Sequence, residues 1–589
     1  MLIEKVYITG FRNYEEAVIN FKPKTLIIGS NDIGKSNLLY AIRILLDKTL
    51  SEVDIEPLDS DFYAFNETNE IQIILKFINV FEDCVISNFK GKISDDNELF
   101  LAYKAFKDPI TGEKSYHFEV GKSIEDLVEI KGRYYLKTLN LKYLASTRDL
   151  FTFIKKERKN LLVDIKKNRT TEEIKFDEKY LKQIDKTLEV INKRVGKLNY
   201  VKKATVDINE ELEKLSFHHK SQSIEFDVGA WDSSQFVDNL NLVSKVKDKS
   251  LSVSGDGRSN QLFIALWAQR NEVKKDNLLE VTFYCIEEPE AHLHPHQQRK
   301  LANYLLEAIN NQVFLTTHSP QIAAEFPPDS IVRLYNKQLE TKAANDGCNT
   351  LIADAISNFG HRMSVIPAEA LFANVVLLVE GQSELLFYKA LANDIGIDLD
   401  RLNISILMVD GVGFDYYIDV LTTLGISFVV RTDNDFFKLP KKDTYWYAGV
   451  KRCIKIYNTF YEKDKELDEL LKREKLLTQV PLDIPQTVKD YVNQLITKLE
   501  DFNLYLAEKD LEHDLNNSLV FKQLNKYFGS YLKSQDDPEI VKEMQKKKAT
   551  FMFSFLNDSQ TDLSVLKEHS LAKPLLSCVD IVEEENGAN

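Results

Sequence analysis

The chain has 589 residues, 44% hydrophobic and 28% charged, with 21 Gly and 14 Pro. At about 150 residues per domain this implies three or four domains, and the composition excludes a collagen-like, wholly disordered or low-complexity chain. No apolar run nears the roughly 20 residues of a membrane span, and the opening Met-Leu-Ile-Glu-Lys-Val has no apolar signal-peptide core. Five cysteines without a C-x-x-C pair argue against a disulfide framework or a thiolate zinc site and predict a reducing cytoplasm. A net charge of −15 argues against a general polyanion binder, while leaving room for a local basic patch or a carboxylate metal site.

In chain order, residues 25–28 read as a strand that turns into a helix over 38–46. Between them, Gly29-Ser30-Asn31-Asp32-Ile33-Gly34-Lys35-Ser36 matches G-x-x-x-x-G-K-[ST]. Glycines let backbone N–H groups wrap phosphates, Lys35 reaches the β and γ oxygens, and Ser36 offers its hydroxyl to Mg²⁺. Asn31 and Asn37 are further candidates in the same loop. Residues 155–203 hold sixteen Lys and Arg against eight Asp and Glu. From Leu181 their apolar residues recur at three- and four-residue steps, predicting a pair of amphipathic helices used for dimer contact or exposed as a solvated arm.

Ser254-Gly255-Asp256-Gly257-Arg258 precedes a helix over 261–269 and can present N–H groups to a phosphate or simply cap that helix. A buried strand over 281–286 ends in Glu287 and Glu288: the first suits a Mg²⁺ shell, the second the attacking water. His318 follows a strand over 313–316 and can reach a γ-phosphate. His292, His294 and His296 alternate around Pro295, which prevents an i, i+4 histidine pair, so no zinc site is expected there.

A second α/β series begins near 375, with strands over 375–379, 404–409 and 426–430 and helices over 384–392 and 416–424. Glu380, Asp410 and the pair Asp433 and Asp435 fall at the strand ends, with Glu384 just after. In a parallel sheet those ends share one edge, and clustered carboxylates call for a hard cation such as Mg²⁺ or Mn²⁺. Two such ions can activate water against a phosphodiester. Residues 462–475 read as a charged surface excursion and 583–589 as a frayed end.

The order Gly29–Ser36, Ser254–Arg258, Ile286–Glu290 and His318, preceded by Ile8-Thr9-Gly10-Phe11-Arg12-Asn13-Tyr14, resembles an ABC-type ATPase head of the RecF/SMC kind. It departs in the Ser-Gly-Asp-Gly-Arg loop and in Glu287 standing for an aspartate. Glu380-Gly381 with Asp433-x-Asp435 resembles a Toprim domain, and the two together resemble the OLD family of nucleases, most of all the nuclease subunit of Gabija anti-phage systems.

The resemblance implies an α/β chain: ATPase head over 1–150 and 246–365, a helical dimerisation insertion over 151–245, and a Toprim domain over 366–589. It implies ATP with Mg²⁺ at the head and metal-dependent cleavage of double-stranded DNA at Glu380, Glu384, Asp433 and Asp435. Glu512, Asp514 and Lys548 of the last segment would assist, with Asp410 a further ligand. It also implies a homodimer or tetramer and a UvrD-like helicase partner, GajB. The alternatives are a RecF-like clamp with a non-catalytic Toprim module and, third, a topoisomerase or primase.

Overall fold

The computed structural model describes residues 1–65, 68–145, 150–215, 225–226, 232–240, 242–246, 249–252, 262, 265, 280–291, 293–337, 340–349, 368–409, 411, 413–439, 444–529, 538–559 and 561–585. The chain divides into two compact units: Met1–Leu144, Leu278–Glu290 and Pro295–Asn589 form one, Ala145–Asn277 and Ala291–His294 the other.

The first unit opens with β1 (Leu2–Phe11), β2 (Tyr14–Asn20), β3 (Lys24–Ile28) and α1 (Lys35–Leu46). It continues with β4 (Glu70–Ile78), β5 (Leu99–Lys107), β6 (Lys114–Gly121), β7 (Val128–Ile130) and β8 (Leu139–Leu144). After the second unit come β9 (Val281–Glu287), β10 (Val313–Thr316), β11 (Ile331–Lys337) and β12 (Glu340–Ala343). Two six-stranded sheets result, ordered β2-β1-β4-β5-β6-β7 and β12-β11-β3-β10-β9-β8. The first is antiparallel, and the second is parallel except for the β11–β12 pair. Helix α1 packs against β4, β5 and β8. Its Leu38, Leu39, Ile42 and Leu45 join Ile73 and Leu75 of β4 and Phe283 of β9 in one core. Continuous apolarity in β3 and β9 reflects burial on both faces, as a parallel sheet requires.

The same unit then builds a four-stranded parallel sheet from β13 (Val375–Val379), β14 (Ile404–Met408), β15 (Ser427–Thr432) and β16 (Leu504–Leu506), ordered β14-β13-β15-β16. Helices α2 (Gln382–Ile395), α3 (Ala448–Phe460), α4 (Leu511–Asn517), α5 (Lys548–Leu556) and α6 (Lys573–Glu585) belong to this half. α2 packs on α5, and α6 covers β13 and β15. The two halves are bolted together by Arg333 of β11, a buried side chain that donates to the carbonyls of Ala373, Leu424 and Gly425 at 2.9, 3.2 and 2.9 Å.

Among its described residues the second unit carries the helices Leu150–Lys167, Thr171–Val195, Asn199–Leu215 and a short Ser233–Asp238; the basic stretch, expected to form two, runs through the first two and into the third. The breaks are local: Thr170 and Glu173 form a capping box that starts Thr171–Val195, and the same helix ends at Gly196. The charged segment over 462–475 holds the short helices Lys465–Leu471 and Glu474–Leu477. At the C-terminus α6 runs on to Glu585, so the frayed end expected from 583 is helical over its first residues, and 586–589 lie outside the described residues.

Candidate functional site

The turn between β3 and α1 is built around two glycines. Gly34 has φ 100°, and a Cβ there would sit 2.0 Å from Asn13 Nδ2. Gly29 has φ 153°, and its Cβ would meet the Leu334 carbonyl at 2.7 Å. No side chain caps α1, which leaves its first N–H groups for an anion. Lys35 closes back on the loop, donating to the carbonyls of Gly29 at 3.0 Å and Ser30 at 2.6 Å. Burial pulls its ammonium down to about 8. Asn31 and Ser36 are exposed, and Asn37 Nδ2 donates to Asn13 Oδ1 at 2.7 Å.

At the end of β9, Glu287 is buried and accepts from the Tyr143 hydroxyl at 2.5 Å. Its Oε1 has no hydrogen-bond partner among the described residues. Glu288 has φ 42°, and its Oε1 lies 3.3 Å from His318 Nε2. Burial and Lys35 hold that imidazole below its ordinary value. Glu290 accepts from Thr317 Oγ1 and the His318 N–H, both at 2.7 Å. Orphaned Glu287 Oε1, the glycine turn and the exposed Ser36 hydroxyl fit a nucleotide–Mg²⁺ complex, with oxygen ligands for the ion and N–H donors for the phosphates.

The carboxyl edge of the four-stranded sheet carries the second constellation. Glu380 follows β13 and Asp433 follows β15, the strands next to each other in the sheet. Glu380 Oε1 accepts from Thr432 Oγ1, from the Asp433 N–H at 2.9 Å and from Arg452 Nη1. Arg452 Nη2 donates to Asp435 Oδ2 at 3.0 Å. Glu384 is buried in the first turn of α2, where a Cβ on Gly381 would touch its Oε2 at 3.1 Å.

Burial, with Glu380 and Glu384 adding to it, pushes the Asp433 carboxyl up to about 8 against the pull of Arg431 and Lys548. Glu512 is buried on α4, raised by burial, with Lys548 Nζ 3.8 Å from its Oε2. Of the three lysines over 546–548, Lys546 pairs with Glu543 in solvent, while the charge of Lys548 is felt by Glu512, Asp433 and Glu384. Asp514 stands apart. Its Oδ2 is held by Arg431 Nη2 at 2.6 Å and its Oδ1 by the Glu508 N–H at 3.0 Å, so both oxygens are engaged.

The donor chemistry fits a hard divalent cation: oxygen ligands, one of them kept from ionising by burial and by its acidic neighbours. Among the described residues no three Asp, Glu, His or Cys side chains are yet gathered as a ligand set. Arg452 lies between two of the acids. Asp410, His292 and residues 254–258, including Ser254 and Gly255, lie outside the described residues.

Residues 1–323 match the family model described as AAA ATPase domain. The chain belongs to this AAA ATPase family. Residues 371–435 match the overcoming lysogenization defect protein-like TOPRIM domain. Over the whole of this chain and 98% of its own length, Endonuclease GajA of Bacillus cereus is 26% identical. The OLD nuclease of Thermus scotoductus is 21% identical, over 75% of this chain and 83% of its own. A solved Smc head bound to the C-winged helix domain of ScpA covers 58% of this chain and 97% of its own, at 17% identity and TM-score 0.36.

An AAA ATPase head followed by an OLD-type Toprim domain is the order expected from the motifs. Sequence reading of the ATPase head quoted Arg12 and Asn13 within Ile8–Tyr14 but gave them no role at the site; they form the two-residue turn between β1 and β2. Arg12 Nη1 donates to Asn37 Oδ1 at 2.8 Å, and Asn13 Nδ2 to the Ile33 carbonyl at 2.9 Å. It also missed Tyr143 and Arg43, whose guanidinium stacks 3.5 Å above the Tyr143 ring. In the Toprim half it missed Arg431 and Arg452. Nothing in their local spacing marks them. Among the described residues, no helix is long and apolar enough to cross a membrane.

Proposed function

We propose that this chain is a divalent-metal-dependent DNA endonuclease, cleaving phosphodiesters at the Toprim edge under control of nucleotide at the ATPase head. The observation that carries the reading is the carboxylate edge, where Glu380, Glu384, Asp433, Asp435 and Glu512 come with Lys548 and a buried, proton-holding Asp433. Full-length likeness to a protein named as an endonuclease supports it.

In this reading Glu380, Asp433 and Asp435 would hold one Mg²⁺ or Mn²⁺, with Glu384 and Glu512 serving a second. Such ions supply a water that ionises near neutral pH and charge to stabilise the leaving oxygen. Asp433 would give up its proton to serve as a ligand, and Lys548 would bind a phosphate oxygen. Asp514 acts as a strut for Arg431. At the head, Lys35 and the loop N–H groups would bind the phosphates, Ser36 and Glu287 would hold Mg²⁺, and Glu288 would orient a water beside His318. Asp410 and the turn at Ser254 and Gly255 remain assigned on their sequence alone.

The finer reading is a Gabija-like defence nuclease acting on double-stranded DNA, as a homodimer or tetramer with a UvrD-like helicase. Exposed Phe176, Tyr180 and Tyr200 on the basic helices support self-association. Their lysines support phosphate contacts, so DNA binding should weaken steeply with salt.

The test is cleavage of supercoiled and linear DNA with Mg²⁺ or Mn²⁺, with and without ATP. Glu380→Ala should abolish cleavage, whereas Lys35→Ala should keep it with an altered nucleotide response. ATP-dependent DNA binding with no cleavage, even with the helicase added, would overturn the nuclease in favour of a clamp.

A further inference from the structure

Helix α3 begins hard against the strand end that carries the acids. The Ala448 N–H donates to the Asp435 carbonyl at 2.8 Å. A Cβ on Gly449 would lie 2.3 Å from the Asp433 carbonyl oxygen and 2.7 Å from Asn434 Cα, so only glycine permits this approach. One turn further on, the approach delivers Arg452 to Glu380 and Asp435, with only 11% of its side chain exposed.

Glu380 Oε1 is saturated: it takes donors from Thr432 Oγ1, Asp433 N and Arg452 Nη1 at once. A cation approaching that oxygen must displace one of them. The Asp433 N–H is backbone and the Thr432 hydroxyl sits on the buried strand beside it, whereas Arg452 ends a long side chain with rotamers to spare. The same guanidinium also occupies Asp435 Oδ2.

We propose that Arg452 is a latch on the Toprim site: its guanidinium is the internal counter-cation of Glu380 and Asp435, and a divalent ion gains Glu380 Oε1 and Asp435 Oδ2 only by displacing it. This rests on the metal-dependent nuclease reading above. It adds a residue that sets the metal threshold of the site, and it gives the fork shape of arginine a purpose that lysine does not serve, since two parallel N–H donors bridge two acids.

The test is Mn²⁺ binding to the metal-free full-length chain, by calorimetry and electron spin resonance, with thermal unfolding alongside. Arg452→Gln should bind Mn²⁺ at least about tenfold tighter than wild type, because the competitor is gone. It should melt lower than wild type without metal and gain more from added Mn²⁺. Arg452→Lys, which keeps the charge and loses the fork, should fall between them and serves if the glutamine variant fails to fold. Lys548→Gln is the control for charge alone, and it should tighten binding less than Arg452→Gln. Equal or weaker binding in Arg452→Gln, or an equal gain in Lys548→Gln, overturns the latch and leaves the nuclease reading standing. Absence of Mn²⁺ binding in every variant overturns both.

Discussion

Asp433 lies at the end of β15 with its carboxyl raised from 3.8 to about 8, chiefly by burial and then by Glu380 and Glu384. Across that window the folded chain keeps a proton that the unfolded chain has shed, so this residue makes stability fall as pH rises from about 4 to 8. Removing the titration in Asp433→Asn should flatten the profile of the metal-free protein by up to about 1.4 kcal/mol per pH unit. Denaturant unfolding at pH 5, 6 and 7 reads this directly, and an unchanged slope would mean that Asp433 is ionised in the fold. Asp514 belongs to the same chemistry with a different outcome. Burial raises it to about 6, yet Arg431 at 2.6 Å ties it into an ion pair. In the proposed site one carboxyl would exchange its proton for a cation, while the other is committed to holding an arginine.

The turn between β1 and β2 shows how an element far from a motif can shape it. Asn13 contacts the Ile33 carbonyl, Thr341 and Asn37, and Tyr14 donates from its buried hydroxyl to the Gly34 carbonyl at 2.9 Å. Asn13→Ala should leave the fold intact and weaken nucleotide binding by about 1–2 kcal/mol, as the loop loses hydrogen bonds of about 1 kcal/mol each. A fluorescent-nucleotide titration against Lys35→Ala measures it. The glycine turn itself was legible because its chemistry is confined to eight consecutive residues. Its support was not, since Asn13 lies upstream and Thr341 some 300 residues downstream. The strand-end acids were legible for a related reason: strand–helix alternation puts the ends of parallel strands on one edge. Arg452 sits mid-helix with no marking pattern, and its meaning depends on the close approach at Gly449. The break at Thr170 is readable as a capping box, but a search for apolar period alone passes over it.

Across the whole molecule, Arg333 joins the ATPase and Toprim halves alongside Asn345, whose Nδ2 donates to the Thr423 carbonyl at 2.6 Å. β11 pairs Arg333 with Ile28, the residue before Gly29, so the bolt lies one strand away from the phosphate loop. Arg333→Ala should cost about 2–4 kcal/mol by leaving the carbonyls of buried Ala373 and Leu424, and that of exposed Gly425, short of a donor. Scanning calorimetry should then resolve head and Toprim melting where wild type melts them together. A single unshifted transition would show that the halves are held elsewhere. The sheet order carries a last consequence. β8 and β9 are adjacent and parallel, pairing Leu139 with Val281 through Leu144 with Ile286. Parallel neighbours cannot be joined by a tight hairpin and need a crossover of a dozen residues or more. Here that crossover is the entire helical unit, entered just after Tyr143 and left just before the strand of Glu287. Because the entropy of closing a loop grows only with the logarithm of its length, such a crossover is free to lengthen, shorten or change its surface while β8 and β9 keep their register. Variation in this crossover therefore costs the phosphate chemistry least.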